Sequence, residues 1–256
     1  MSSFHQPPTN FISTITLNVS NPKKMVDFYQ WLGFRILQKT SEQTILGTDQ
    51  PVLILKHNQP YPIEQQNTQG LYHMAFLLPT RIELGSVLRY LIQHRYPLQG
   101  LSDHGVSEAI YLSDPEGNGI ELYVDRPQDQ WPYDQQQLAM VTEPMQYQDV
   151  LNLARPFKHF SNQVVLGHLH FHVSDLAEAV AYYQSILHYK VVQYYGESAA
   201  FLSSGGYHHH LGLNTWRGHP IPIKNLQTTG IASFEVQLIH THLGQNLTGI
   251  PVSIKK

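Results

Sequence analysis

Apolar and polar residues alternate in four separate stretches of the chain, and two of these run directly into a helical repeat. STITLNVSNPKKMVDFYQWLGFRIL (Ser13 to Leu37) lines up with GHLHFHVSDLAEAVAYYQSILHYKVV (Gly167 to Val192). Each opens with a two-residue period, passes a polar Ser-Asn or Ser-Asp pair, and continues with apolar residues three and four apart. These are Met25, Phe28, Tyr29 and Leu32 in the first copy, and Leu176, Val180, Tyr183 and Leu187 in the second. A period of two marks a strand with one buried face, and the longer spacing an amphipathic helix. Asn21 before Pro22, and Ser174 with Asp175, supply side-chain acceptors for the first helical turn. GLYHMAFLLPT (Gly70 to Thr80) and GIASFEVQLIH (Gly230 to His240) form a second matching pair. Units beginning near residues 12, 70, 166 and 230 therefore predict one element set repeated four times.

Strand periodicity is also a burial map, because successive side chains point to opposite faces. Ile15, Leu17 and Val19 are expected to face the helices, as are Met74, Phe76 and Leu78, then Leu169, Phe171 and Val173, then Phe234, Val236 and Leu238. The opposite, concave face carries Thr14, Thr16 and Asn18; His73, Ala75 and Leu77; His168, His170 and His172; and Ser233, Glu235 and Gln237. In DPEGNGIELY (Asp114 to Tyr123), Pro115, Gly117 and Gly119 suit a tight reversal that presents Glu121 inward beside Gly119 and Tyr123. Parity through HHHLGLNTW turns His208, His210, Gly212 and Asn214 inward and His209 away. The proline- and glutamine-rich DRPQDQWPYDQQQLAMVTEPM reads as a connector, with Trp131 and Tyr133 placed to pack on the modules. This divides the chain into an N-terminal module at 1–127, a connector at 128–165 and a C-terminal module at 166–256.

Composition narrows the chemistry. A chain of 256 residues with 41% hydrophobic content can bury a sizeable core. Its formal charge of −3, without blocks of like charge, gives no footprint for nucleic acid or anionic lipid. No apolar run approaches the roughly 18 residues of a membrane span, so no membrane association and a cytoplasmic location are expected. With no cysteine, a thiolate site or thiol nucleophile is excluded; 16 His and 15 Tyr are the conspicuous resource.

The strand-helix-strand-strand-strand unit, duplicated and closed in one copy by DPEGNGIELY, resembles the vicinal oxygen chelate superfamily of glyoxalase I, extradiol catechol dioxygenases, and bleomycin and fosfomycin resistance proteins. HGVSEAIYLSDPEGNGIELYVDRP (His104 to Pro127) and GGYHHHLGLNTW (Gly205 to Trp216) are similar to four-unit bacterial proteins of the catechol 2,3-dioxygenase or glyoxalase kind. The resemblance implies an α+β fold of tandem βαβββ units, four copies with the last shortened, forming two strand-lined cups. It also implies metal ligands on the first and last strands of each unit. Carried over residue by residue, these positions are His73 and Glu121 in the second unit and His168 and His210 in the third. Thr14 and Ser233 stand at the corresponding first-strand positions of the other two units. QPVLILKHN offers no suitable last-strand ligand, and the fourth copy ends at TGIPVSIKK before a closing carboxylate strand.

If units pair in chain order, each cup holds half a site; if the second pairs with the third, one cup gathers His73, Glu121, His168 and His210. The pooled arrangement is favoured because one cause then accounts for four polar residues. The resemblance implies a divalent metal, with Fe(II) or Mn(II) favoured over Ni(II) or Zn(II), and a small vicinal-dioxygen substrate handled by extradiol-dioxygenase or glyoxalase-like chemistry. His170, His172, His208 and Tyr123 are then candidates for acid-base or oxyanion roles. An inward histidine is more often a hydrogen-bonded wall residue, and Trp31, Tyr182 and Tyr183, at helical spacing, read as core. His104 reads equally as a substrate contact or a structural cap. The alternative function is a metal-free protein that sequesters an aromatic or antibiotic-like molecule, favoured by Thr14 and Ser233 and opposed by the four ligand-type residues. Open strand edges at a shortened fourth unit are compatible with a homodimer.

Overall fold

The computed structural model describes residues 2–64, 67–238 and 252–255. A short turn at Ser3–His5 precedes the first unit, which comprises β1 (Phe11–Asn18), α1 (Pro22–Leu32), β2 (Arg35–Lys39), β3 (Gln43–Gly47) and β4 (Pro51–Lys56). The second comprises β5 (Gly70–Leu77), α2 (Arg81–Gln93), β6 (Gly100–Asp103), β7 (Ser107–Ser113) and β8 (Gly119–Asp125). The connector adds β9 (Tyr133–Asp134), β10 (Gln137–Leu138), β11 (Glu143–Pro144) and the short helix α3 (Tyr147–Asn152). The third unit follows as β12 (Val165–His172), α4 (Leu176–Leu187), β13 (Lys190–Tyr195), β14 (Ala199–Ser203) and β15 (Leu211–Asn214), and the fourth contributes β16 (Gly230–Gln237) and β17 (Val252–Lys255). His240 and the TGIP of the closing segment lie outside the described residues.

Local chemistry sets the helix starts where the sequence places them. Asn21 Oδ1 accepts from Lys24 N at 3.0 Å, and Asp175 Oδ1 from Glu178 N at 2.9 Å. Thr80 caps α2 in the same way. The strand starts at Phe11, Gly70, Val165 and Gly230 match the four repeats.

Pairing between units is nested. A nine-stranded sheet has the order β11-β6-β7-β8-β5-β12-β15-β14-β13, and a six-stranded sheet the order β17-β16-β1-β4-β3-β2. At the centre of the first, β5 and β12 run antiparallel, joining the second unit to the third; in the other, β1 and β16 join the first unit to the fourth. Segments 1–127 and 166–256 each contribute to both sheets. All twelve first-strand residues expected to face the helices are buried in one continuous core shared by the two sheets. Phe34 against Phe76 (4.8 Å) and Phe171 against Phe234 (5.6 Å) are contacts across it. Tyr182 and Tyr183 belong to the same core, and Trp31, partly buried, packs against it. Among the described residues, no helix is long and apolar enough to cross a membrane.

Candidate metal centre and substrate pocket

The central pair of strands explains the histidines. Because β5 and β8 are parallel neighbours in register His73↔Gly119 and Ala75↔Glu121, and β12 pairs with β5 on its other side, concave-face residues of all three strands converge. His73, Glu121 and His168 each offer a ligand atom within 4.8 Å of the others, and all three are buried. His168 Nε2 donates to Glu121 Oε2 at 3.1 Å. His73 Nε2 lies 3.0 Å from that same oxygen yet has no hydrogen-bond partner. One carboxylate oxygen thus faces two imidazole nitrogens and satisfies one. A divalent cation in their midst would satisfy all three, and two imidazoles with a carboxylate are a donor set that divalent first-row metals accept.

Electrostatics favour that state. Burial would raise the Glu121 carboxyl, but the N–H of His168, by attraction and hydrogen bond, together with His73, holds it well below the usual carboxylate range. Desolvation lowers His168 to about 4 in spite of Glu121, so the imidazole is neutral, as a ligand must be.

The triad lies at the wall of a pocket of about 310 Å³. Tyr72, Tyr111, His170, Phe201, His209 and Trp216 line it with the three ligand candidates, and Met140, Val141 and Thr142 of the connector close one side. Tyr111 stands opposite Glu121 in the β7–β8 pairing. His104 Nδ1 donates to the Val141 carbonyl (2.8 Å), which leaves its Nε2 to accept from the Tyr111 hydroxyl (2.7 Å). Burial first, then the Glu121 charge, push the Tyr111 phenol well above its ordinary range, so it remains a donor.

The other residues expected at the site are distributed unevenly. His170 lines the pocket, its Nε2 accepting from Asn214 Nδ2 at 3.0 Å. His172 donates through Nδ1 to Asn214 Oδ1 (2.7 Å), outside the pocket lining. Tyr123 packs its ring on His168, and its hydroxyl meets Tyr207 at 2.7 Å behind the wall. His208 is buried between Asp125 Oδ1 and His209, both at 2.8 Å.

His210 is not brought to the triad. Its Nε2 donates to the Phe4 carbonyl (3.0 Å), and its Nδ1 accepts from Ser203 Oγ (3.0 Å), so both ring nitrogens are engaged. His209, expected to point away, lines the pocket with its ring centroid 4.1 Å from that of His168. The cause is local: β15 starts only at Leu211, and Gly205 and Gly206 ahead of the histidines have positive φ, so strand parity does not extend through them. Tyr111 and the connector wall were also missed. Counting back from the DPEGNG reversal would have placed Tyr111 opposite Glu121; the connector carries no comparable signal.

Gly119 marks how tightly the triad is set. A Cβ there would run into the Tyr72 carbonyl oxygen and come within 3.0 Å of His73 Cβ. Gly119→Ala should therefore cost about 2–3 kcal/mol, seen in urea titration, and reduce bound metal by displacing His73. Unchanged stability and metal content would show that this close approach does not hold the site.

Residues 11–122 match the family model described as the Glyoxalase/Bleomycin resistance protein/Dioxygenase superfamily. The chain is 41% identical over 248 residues to a protein of Bacillus subtilis named Catechol-2,3-dioxygenase, covering 94% of this chain and 86% of that one. It is 32% identical over 111 residues to Biphenyl-2,3-diol 1,2-dioxygenase 3 of Rhodococcus globerulus, covering 38% of this chain and 55% of that one. In fold it is similar to glyoxalase I from Zea mays, with a TM-score of 0.56 at 13% identity over 89% of this chain and 74% of that one.

Proposed function

We propose that this chain, which belongs to the glyoxalase/bleomycin resistance protein/dioxygenase superfamily, is a metal-dependent extradiol-type dioxygenase that opens the ring of a catechol. The observation that carries the reading is the convergence of two imidazole nitrogens and one carboxylate oxygen within 4.8 Å at the wall of an aromatic pocket. A two-histidine, one-carboxylate set is the ligand pattern of non-haem Fe(II) oxygenases, and three protein ligands rather than four leave room for substrate oxygens. The likeness to the Bacillus subtilis protein supports a catechol over a glyoxalase substrate. Fe(II) is the metal of choice, with Mn(II) second. When bound, the metal supplies Lewis acidity toward two neighbouring oxygens and, as Fe(II), electrons for dioxygen.

The chain's own contribution is proton handling. Asp125 can only accept, so His208 carries its proton on Nε2 and turns a lone pair at Nδ1 toward His209. His209 therefore donates from Nδ1, and its Nε2 is left as the basic nitrogen for the pocket. Burial, reinforced by His168, keeps His209 neutral. His209 Nε2 takes the proton of a substrate hydroxyl, and Asp125 and His208 fix the tautomer that lets it do so. Tyr111, its proton given to His104 Nε2 in a hydrogen bond, keeps a neutral phenol on the Glu121 side of the pocket. We place the protein in the cytoplasm, where a reducing milieu keeps iron ferrous, and expect a homodimer, to be checked by sedimentation.

Protein purified without a histidine tag, loaded anaerobically with Fe(II) and then given catechol and oxygen, should form the coloured ring-opened product. Stoichiometric iron without product would overturn the reading, as would tight aromatic binding to protein that retains no metal. His209→Ala should lower kcat by about 10²–10³-fold. Asp125→Ala should lower it by about 10–100-fold, and both variants should keep metal content and KM. Equal kcat in parent and Asp125→Ala would remove the tautomer relay.

A further inference from the structure

Beyond the triad, the pocket has a wall from outside the repeated units. Met140, Val141 and Thr142 come from the connector, and three sets of contacts hold them in place. Gln193 of β13 clamps the Met140 backbone, its Oε1 accepting from Met140 N (2.7 Å) and its Nε2 donating to Met140 O (3.1 Å). His104 holds Val141 from the other side, its carbonyl accepting from Val141 N (3.2 Å) and its Nδ1 donating to Val141 O (2.8 Å). Immediately beyond, β11 pairs with β6 through Glu143↔Asp103 and Pro144↔Ser102. A segment fixed at successive residues presents a defined surface.

Met140 and Val141 make that surface mostly apolar, with Thr142 at its end. Phe201 and Trp216 lie on the same pocket, and among the described lining residues there is no lysine or arginine. Arg217, next to Trp216 in the chain, is turned to the Thr68 carbonyl (2.9 Å). The ionised group in the lining is Glu121, at the metal end. An anionic group on the substrate ring, away from the oxygens that reach the triad, would lose water and meet no cation, only neutral donors such as Gln99, Ser102 and Tyr195. An alkyl group would instead bury apolar surface against Met140 and Val141.

We infer that the connector segment Met140–Thr142 is the specificity wall of the site and selects catechols bearing an apolar substituent over those bearing a carboxylate. This rests on the catechol-opening reading above. The tests compare catechol, 4-ethylcatechol and 3,4-dihydroxybenzoate by turnover of the Fe(II) protein and by calorimetric binding to the Zn(II) protein, which reads affinity without oxygen chemistry. The expected result is 4-ethylcatechol preferred over 3,4-dihydroxybenzoate by about a hundred-fold in kcat/KM, with the same ranking in binding. Val141→Arg should shrink that ratio by about ten-fold or more through KM and Kd, and Thr142→Lys serves if the first variant does not fold. Catechol opened normally, but with the carboxylated and alkylated rings used equally, would overturn this inference alone. An unchanged ratio in a folded Val141→Arg or Thr142→Lys variant would do the same. Catechol neither bound nor opened would overturn the functional reading itself, and this inference with it.

Discussion

Glu121→Ala should retain no more than about a tenth of the divalent metal of the parent protein, and catechol opening should fall in proportion. The cause is a shared atom: Glu121 Oε2 is the group that both His73 Nε2 and His168 Nε2 approach, at 3.0 and 3.1 Å. Removing it takes the anionic member from a set whose other two members are neutral imidazoles, and a dication held by two buried neutral ligands is poorly compensated. His73→Ala and His168→Ala should lose metal to a similar extent. His210→Ala should behave differently, keeping its metal while losing about 2–3 kcal/mol of stability. Its ring is buried, and its loss opens a cavity and leaves the Phe4 carbonyl without the imidazole N–H, while Ser203 Oγ keeps the Ser204 carbonyl. Metal analysis beside urea unfolding separates the two classes. Full metal in Glu121→Ala, or metal lost equally in His210→Ala, would refute the three-ligand assignment.

Asp114→Ala should be among the most destabilising single changes outside the core, costing about 3–4 kcal/mol and roughly 10 °C in Tm. Asp114 is buried at the start of the DPEGNG turn. Its Oδ1 accepts from Glu116 N (2.9 Å) and Asn118 N (3.0 Å), closing the turn from inside. Its Oδ2 accepts from Asn118 Nδ2 and from the Tyr29 hydroxyl, both at 2.8 Å, tying the second unit to helix α1 of the first. Tyr29 is fully buried, so truncation leaves its hydroxyl stranded without water. The next residue but one reinforces the link: Glu116 Oε1 accepts from Ser20 N (2.9 Å) and Asn21 N (2.7 Å) just ahead of α1. Asp114→Asn keeps the shape and one acceptor and should lose about half as much. A loss under about 1 kcal/mol for the alanine variant, in thermal or urea melts, would contradict this account.

The sequence was most legible where structure is local and regular. Strand parity assigned both faces of β1, β5, β12 and β16, because each is a continuous strand with one face in the core. It failed at His208, His209 and His210 for the converse reason: those residues approach β15 through a loop, where a side chain's direction follows hydrogen bonds to Asp125, Ser203 and Phe4. Unit pairing could be posed as alternatives from sequence but not decided, since β5 and β12 lie some 95 positions apart and nothing local records which edge meets which. The connector was least legible. Its composition announces a crossing, whereas its place over the pocket depends on Gln193 and His104, residues from two different units.

The nested arrangement has a consequence for how the chain assembles as it leaves the ribosome. Once β15 has emerged, every strand of the nine-stranded sheet is available, and the nest of histidines around Glu121 can form before β16 is made. β1 can pair with β4 early but must wait for β16, so its second edge is among the last to be covered. Loop closure adds little to that delay, because doubling a loop costs only about 0.6 kcal/mol. The vulnerability is exposure: β4 covers one edge of β1, but until β16 is made the other edge stays open to other nascent chains.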